Sequence, residues 1–330
     1  MNDKPISPER ITQLATGGWA AATLGAAVSH SLFTHIDRGQ RTVDEIAKAA
    51  GISPRGALAL VDGAVGIGLL SVRDGKYENT PEAAAYLVEG KPSYFGGFTK
   101  FNLTDLPHWA RLTDVVRTGA PADDVMKTEN PFWEDLVISI APWAFPIAEA
   151  AAKTLRLAAA GPISILDVGG GSGAYSAALL KTNTTATSTQ LDWSNVNRVA
   201  REFVARHGVG ERFRTVDGDF HTVDFGEALY DLAIYSHIAH GEPAKENITV
   251  FRKFRRALKP GGTLLVVDFV QTDDRSGPPF ALLFHLNMLV HTVGGATYRE
   301  ADYRSWLAEA GFREVSVEKT AGPASLIYAS

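Results

Sequence analysis

The stretch Ile163-Ser-Ile-Leu-Asp-Val-Gly-Gly-Gly-Ser-Gly173 constrains the fold of this 330-residue chain more than any other. Ile163 to Val168 is an apolar run of the kind buried in a parallel sheet. Three consecutive glycines, Ser172 and Gly173 follow, and Ala174 to Leu180 then has helix-forming residues at apolar spacing. Strand, glycine turn and helix together open a nucleotide-binding βα unit. Glycine is needed where the chain turns sharply and a ligand approaches bare backbone.

Two classes of cofactor use such a turn. Gly169, Gly171 and Ala174 fit the loose dinucleotide pattern, while Asp167-x-Gly169-x-Gly171-x-Gly173, with Gly170 between, fits a narrower one. A carboxylate at the end of the strand would repel a pyrophosphate. It suits a cofactor with a cationic amino-acid tail and no phosphate, as in S-adenosylmethionine (SAM).

From Gly161 onward strand and helix patterns alternate, which predicts an α/β fold with a parallel sheet covered by helices on both faces. Thr187 to Asp192 is a second strand ending in an acid, 23 positions past Gly169. A carboxylate there can accept both ribose hydroxyls, and Trp193 beside it is placed to stack on adenine. Arg212 to Thr215 leads into Asp217-Gly-Asp219-Phe220, an acid and an aromatic suited to the adenine amino group and ring face. The fourth strand, Leu229 to Tyr235, runs into Ser236-His237-Ile-Ala-His240. Ligands on open α/β sheets bind beyond the carboxyl ends of strands, so both histidines are placed where a substrate would meet the cofactor. A helix is expected over Phe251 to Leu258, a turn at Lys259-Pro-Gly-Gly262, and a fifth strand from Leu264 to Asp268. A helix from Asp302 to Ala310 and a closing antiparallel pair, Val315 to Glu318 with Ser325 to Ala329, complete the unit.

The first hundred residues read as a helical unit. Ile11 to Ile36 is an Ala-rich helix expected to break near Gly25. Thr42-Val-Asp-Glu45 is a capping box, Ser53-Pro54 opens a further helix, and Asp74-Gly75 marks a tight hairpin. This is a winged-helix pattern, and its charges argue against DNA. Through residue 100 there are ten Lys/Arg and ten Asp/Glu, and Pro54 to Leu70 carries only Arg55 and Asp62. Phosphate neutralisation needs several cations on one face, so a dimerisation role is expected instead. Residues 101–160 form an aromatic-rich bridge punctuated by Pro131, Pro142 and Pro146, with Trp133, Trp143 and Phe145 placed to line an apolar acceptor pocket. The expected division is therefore 1–100, 101–160 and 161–330. The net charge of −5 gives no reason to expect nucleic acid or an anionic membrane as partner. The absence of cysteine rules out disulfides and thiolate chemistry. With Met1 to Glu9 polar and no apolar run expected to reach the ~20 residues of a membrane span, the expectation is a soluble cytoplasmic protein.

Taken together, Leu166-Asp-Val-Gly-Gly-Gly-Ser-Gly173, Leu191-Asp192, Gly218-Asp219-Phe220, the histidine before Phe251-Arg-Lys-Phe-Arg-Arg-Ala-Leu-Lys-Pro-Gly-Gly262, Met288 to Gly295 and Ala310-Gly-Phe312 resemble one family. It is the SAM-dependent O-methyltransferases of the caffeic-acid and acetylserotonin type, including bacterial members of secondary metabolism. The resemblance spans roughly residues 10–330. It implies a homodimer with a winged-helix dimerisation domain and a Rossmann-like SAM domain. It assigns Gly169, Asp192, Asp219, Phe220 and Ser236 to the cofactor, His240 to the general base and Asp268 to orienting that base; Met288 and His291 are expected beside the methyl acceptor. An imidazole titrating near neutrality can take the proton of a phenol, whose pKa of about 10 makes it a poor nucleophile at pH 7. The chain departs from the family at His240-Gly241-Glu242, where His-Asp-Trp is usual, and at Thr297, where plant members carry a second acid. An alternative is a metal-dependent C-methyltransferase acting on an α-keto acid or enol, with His237, His240, His285 and His291 as imidazole ligands and Asp268 as an oxygen ligand.

Overall fold

The structure, a computed structural model, describes residues 6–122, 130 and 132–330; Pro131 and the first five residues of the polar start lie outside them. The chain divides into two compact units, Met1–Leu106 and Pro107–Ser330.

In the first unit, α1 (Glu9–Ala15), α2 (Gly17–Ser29) and α3 (Leu32–Asp37) replace the single broken helix expected there. The breaks fall at Thr16 and at His30–Ser31, where Ser31 takes φ +51. Gly25 instead stays inside α2, because a Cβ there would lie 2.8 Å from Leu103 Cβ; it permits close packing and does not break the helix. α4 (Val43–Ala50) starts at the predicted capping box, with the Thr42 hydroxyl accepting from Glu45 N–H and the Glu45 carboxylate accepting from Thr42 N–H. α5 (Pro54–Gly66) is capped by Ser53. β1 (Leu70–Arg73) and β2 (Lys76–Asn79) form the predicted hairpin, with Asp74 and Gly75 both at positive φ as a type I′ turn requires. The unit is therefore helical with a β wing. α6 (Pro81–Tyr86) follows, and Leu32, Phe33, Ile46, Val61 and Tyr77 fill the core.

α7 (Gly96–Trp109) contains the boundary between the units, and α8 (Leu112–Thr118) and α9 (Phe132–Thr154) follow it. α9 corrects one expectation, since its 23 residues are long and apolar enough to cross a membrane by length and composition. Here its Ala148, Ala151 and Ala152 are buried against the helix layer of the sheet. That sheet has seven strands in the order β5-β4-β3-β6-β7-β9-β8. They are β3 (Ser164–Val168), β4 (Thr187–Asp192), β5 (Phe213–Asp217), β6 (Tyr230–Ser236), β7 (Leu258–Asp268), β8 (Val315–Lys319) and β9 (Ser325–Ala329). β3 to β7 run parallel, and β9 is antiparallel to both of its neighbours.

Both faces are dry, which is why these strands read as apolar runs without alternation. Ile165, Leu232, Ile234, Leu265 and Val267 face α9 and α10 (Ala174–Thr182), while Leu166, Ala233, Tyr235, Leu264 and Val266 face α12 (Ala244–Ala257) and α14 (Glu300–Glu309). Each such fully buried Leu, Ile or Val side chain contributes about 1.5–3 kcal/mol. α11 (Ser194–Arg206) and α13 (Pro279–His291) complete the helices. The expected turn at Lys259–Gly262 is a bulge inside β7: Tyr230 pairs with Leu258 and Leu232 with Thr263, so the residues between are extra, and Gly261 at φ +80 absorbs them. The strand order reverses between β3 and β6, which opens a crevice at their carboxyl ends.

Candidate active site

The glycine turn leaves β3 at that crevice. Gly169 takes φ +64, and a Cβ there would meet Ile238 Cδ1 at 2.7 Å; a Cβ on Gly170 would meet Gln190 Oε1 at 2.5 Å and Asp167 Cγ at 2.8 Å. A larger residue at either place would have to displace Ile238, or Gln190 and Asp167. Asp192, at the end of β4, closes on the turn: its Oδ2 accepts Gly171 N–H at 2.9 Å and its Oδ1 accepts Trp193 N–H at 2.8 Å. Burial pushes Asp192 up to about 7 against the pull of those two N–H groups. The Trp193 ring meets Trp133 of α9 edge-on at 5.6 Å. Asp219 lies just past β5, where its Oδ1 accepts His221 N–H at 2.8 Å and its Oδ2 has no partner among the described residues. Phe220 stacks on the His221 ring at 4.2 Å, and Ser236 ends β6, buried. The turn itself, residues 169–173, carries no charged side chain. An uncharged glycine cradle beside carboxylates fits an adenosyl cofactor with a cationic tail better than a pyrophosphate.

Asp167 is placed differently from its neighbours. Its carboxylate is fully enclosed on the α10 side, where Ser176 donates to Oδ2 at 2.7 Å and Oδ1 has no partner among the described residues. Burial pushes it up to about 6, against the Ser176 hydrogen bonds.

Across the crevice, the loop after β6 carries His240 and β7 ends at Asp268, which is completely buried. The two side chains meet at 2.6 Å between His240 Nδ1 and Asp268 Oδ1. Asp268 also accepts His240 N–H at 3.0 Å, Phe269 N–H at 2.8 Å and the Tyr303 hydroxyl at 2.9 Å. Burial works to raise this carboxylate, but the His240 imidazole, with the Phe269 N–H, outweighs it and holds it below the usual range. With Nδ1–H donated to Asp268, the lone pair of His240 is at Nε2. The loop is locked from behind, where Ala296 N–H donates to His240 O at 2.8 Å.

Aromatic rings surround the pair. Phe269 lies parallel to the His240 ring at 5.8 Å, Phe284 meets it edge-on at 4.9 Å, and Phe280 and Trp143 pack onto Phe269. Trp143 therefore joins the wall, whereas Phe145 stacks on His207 at 5.2 Å within the helix layer and takes no part in it. Met288 and His291 are buried on α13, with the His291 ring 6.5 Å from Phe132. Of the histidines weighed as metal ligands, His237 and His240 come together with Asp268, their ligand atoms within 4.8 Å. His285 lies by Gln271 and Thr297 instead. His237 sits at φ +56 against Phe269, and burial pushes it down to about 4, so it is neutral at ordinary pH. Thr297, where an acid was expected in plant members, accepts Gln271 Nε2–H at 2.6 Å and donates to Ala281 O at 2.9 Å.

Sequence reasoning missed Phe269 and Phe280; the first directly follows the acid at the end of β7, a position that points into the crevice by strand register. It also missed Glu242, which is buried, and the His221 that meets it at 3.1 Å.

Two family models match the chain, the O-methyltransferase domain over residues 148–313 and the O-methyltransferase dimerisation domain over residues 12–89. Among curated relatives, the 3-hydroxy-5-methyl-1-naphthoate 3-O-methyltransferase of Streptomyces sahachiroi is 35% identical, over 96% of this chain and 92% of its own. The 8-O-methyl transferase of tetracenomycin polyketide synthesis from Streptomyces glaucescens is 31% identical, over 97% and 95%. A crystal structure of a Nostoc punctiforme chain assigned to the O-methyltransferases superposes with a TM-score of 0.91 at 28% identity, covering 99% of each chain. The chain belongs to the SAM-dependent O-methyltransferase family, with a helical dimerisation domain before a Rossmann-like methyltransferase sheet.

Proposed function

We propose that this chain methylates a hydroxyl of a flat, aromatic or polyketide-type metabolite, with His240 as the general base. The observation that carries this reading is the 2.6 Å contact between His240 and the buried Asp268, inside an aromatic wall and across from the glycine turn. The names of the two Streptomyces relatives, a naphthoate and a polyketide enzyme, support the acceptor class. SAM, when bound, supplies an electrophilic methyl group. Asp192 would accept the ribose hydroxyls, Asp219 Oδ2 the adenine amino group, and Trp193 and Phe220 would flank the ring. The backbone of Gly169, Gly170 and Gly171 would receive the amino-acid tail, with Asp167 shaping the turn through Ser176. His240 Nε2 takes the acceptor's proton while Asp268 stabilises the resulting imidazolium; Trp143, Phe269, Phe280 and Phe284 exclude water and present flat apolar faces. Met288 and His291 would close the acceptor side.

Residues 1–100 would build a homodimer. α1 buries none of its residues within its own unit, and Ile11, Leu14 and Trp19 stand 64–75% exposed. Such an apolar patch marks an interface. Light scattering at micromolar concentration should give twice the chain mass.

The test of the chemistry is His240→Ala assayed with a labelled methyl donor. SAM binding should persist by titration, and turnover should fall roughly 10²–10⁴-fold, the size of a lost acid–base contribution. Wild-type turnover in the variant would remove His240 from the mechanism. Loss of wild-type activity on chelation would replace the base by a metal held at His237, His240 and Asp268.

A further inference from the structure

We propose that His221, held between Asp219 and Glu242, is a positioning residue that couples the adenine end of the cofactor site to the loop carrying His240. The proposal rests on the reading of Asp219 as the adenine contact.

Glu242 follows His240 by two residues, and its side chain is 8% exposed. A carboxylate in that place needs a cation, because an unpaired buried charge is costly. His221 answers it: Nε2 lies 3.1 Å from Glu242 Oε2 and Nδ1 lies 2.7 Å from Asp219 Oδ1. Only the imidazolium donates from both nitrogens. A neutral ring would donate to one carboxylate and turn a lone pair on the other. The backbone on both sides is already fixed. Glu242 O accepts the Tyr298 hydroxyl and Asn247 Nδ2–H, and Lys253 Nζ donates to the carbonyls of Phe220, His221 and Val223. The imidazolium is therefore the side-chain link between two anchored segments.

Its charge is set by its surroundings. Hydrogen bonding to Glu242 is the largest influence; burial opposes it, Asp219 adds to it, and the ring is pushed up to about 9. Asp224 and the cations Lys253, Arg252 and Arg256 line the same shallow groove. The two carboxylates outweigh those cations because, among the charged groups described, they are the ones that hydrogen-bond the ring. A ligand that draws on Asp219 Oδ2 thus acts on a carboxylate whose other oxygen holds His221, and through it on Glu242. Coupling of this kind is reciprocal.

The experiment is a double-mutant cycle with His221→Gln, which keeps a donor and loses the charge, and Glu242→Gln, which keeps the shape. Turnover is measured at saturating SAM, and SAM dissociation constants are measured by calorimetry from pH 7 to 10. Each single variant should lose about tenfold in turnover, and the double variant should lose no more than either alone. Wild-type affinity for SAM should weaken as pH rises through about 9, where the imidazolium is lost, and His221→Gln should remove that step. Additive losses in the cycle, or the same pH step in wild type and His221→Gln, would overturn the proposal. Unchanged SAM affinity in Asp219→Asn would instead remove the adenine reading, while the cycle at saturating SAM still judges the link between His221 and Glu242.

Discussion

Two sets of buried carboxylates stand at the carboxyl ends of one sheet, and their surroundings treat them in opposite ways. Around the glycine turn, Asp167 and Asp192 are enclosed without a cation among the described residues and are pushed up to about 6 and about 7. Across the crevice, Asp268 is just as buried but receives four donors, among them the His240 ring, and is held low. Asp167 and Asp268 are equally buried, so burial alone does not decide the charge; the His240 imidazole beside Asp268 does. Asp192 stays partly open to the crevice and can accept from something outside the chain, Asp167 is turned into the α10 side, and Asp268 spends its capacity on orienting one imidazole.

The sharpest way to break this contrast is Asp268→Asn. The amide would present N–H or a weaker acceptor to His240 Nδ1, favouring the tautomer that carries its proton on Nε2. Turnover should fall roughly 10²–10⁴-fold with SAM affinity retained. Near-normal turnover would show that Asp268 does not fix the tautomer. Next in size is Asp192→Ala. Losing two hydrogen bonds to a ligand should cost about 2 kcal/mol of SAM affinity, roughly 30-fold, without a comparable fall in turnover at saturation. An unchanged titration would take Asp192 out of the site.

The smallest effect is in stability. A folded pKa raised above the unfolded one contributes stability that is complete below about pH 4 and lost as pH rises through the folded value. For Asp167 that window runs from about 4 to about 6. Asp167→Asn removes the buried charge and places an amide beside Gln190 Oε1, a buried acceptor with no partner; Asp167 Cγ and Gln190 Oε1 both fall within 2.8 Å of a Cβ built on Gly170. At pH 7.5 the variant should gain about 1–3 kcal/mol, and its melting temperature should decline less than that of the wild type between pH 4 and 6, the part that remains including Asp192. A lower melting temperature at pH 7.5 would mean that the Asp167 charge is compensated after all.

Much of this was legible because it is local. The turn at Gly169, the Thr42 capping box and the Asp74-Gly75 hairpin each depend on residues within a few positions of one another. Asp192, Asp219 and Asp268 could be placed because strand ends converge on one edge of a parallel sheet. Side-chain direction was harder. Asp167 shares the face of Ile165 by the period of two, which aims it at α10 rather than at the crevice. α9 is apolar nearly all round, so its pattern could not tell Trp143, which joins the aromatic wall, from Phe145, which does not. His221 and Glu242 are 21 residues apart and belong to no motif, and only the fold brings them within reach.

β9 has a consequence for biosynthesis. It is the last strand in chain order, yet it lies between β7 and β8, pairing with both. As the polypeptide emerges, β7 is made long before the strand that covers it, and its outer edge waits through α13, α14 and β8. An unpaired apolar edge is what other nascent chains can add to. The first unit ends at residue 106, whereas the catalytic sheet closes only when residues 325–329 pair with β7 and β8. Shielding of the β7 edge until β9 pairs with it, whether by β9 itself or by a chaperone, should therefore govern the yield of the folded sheet.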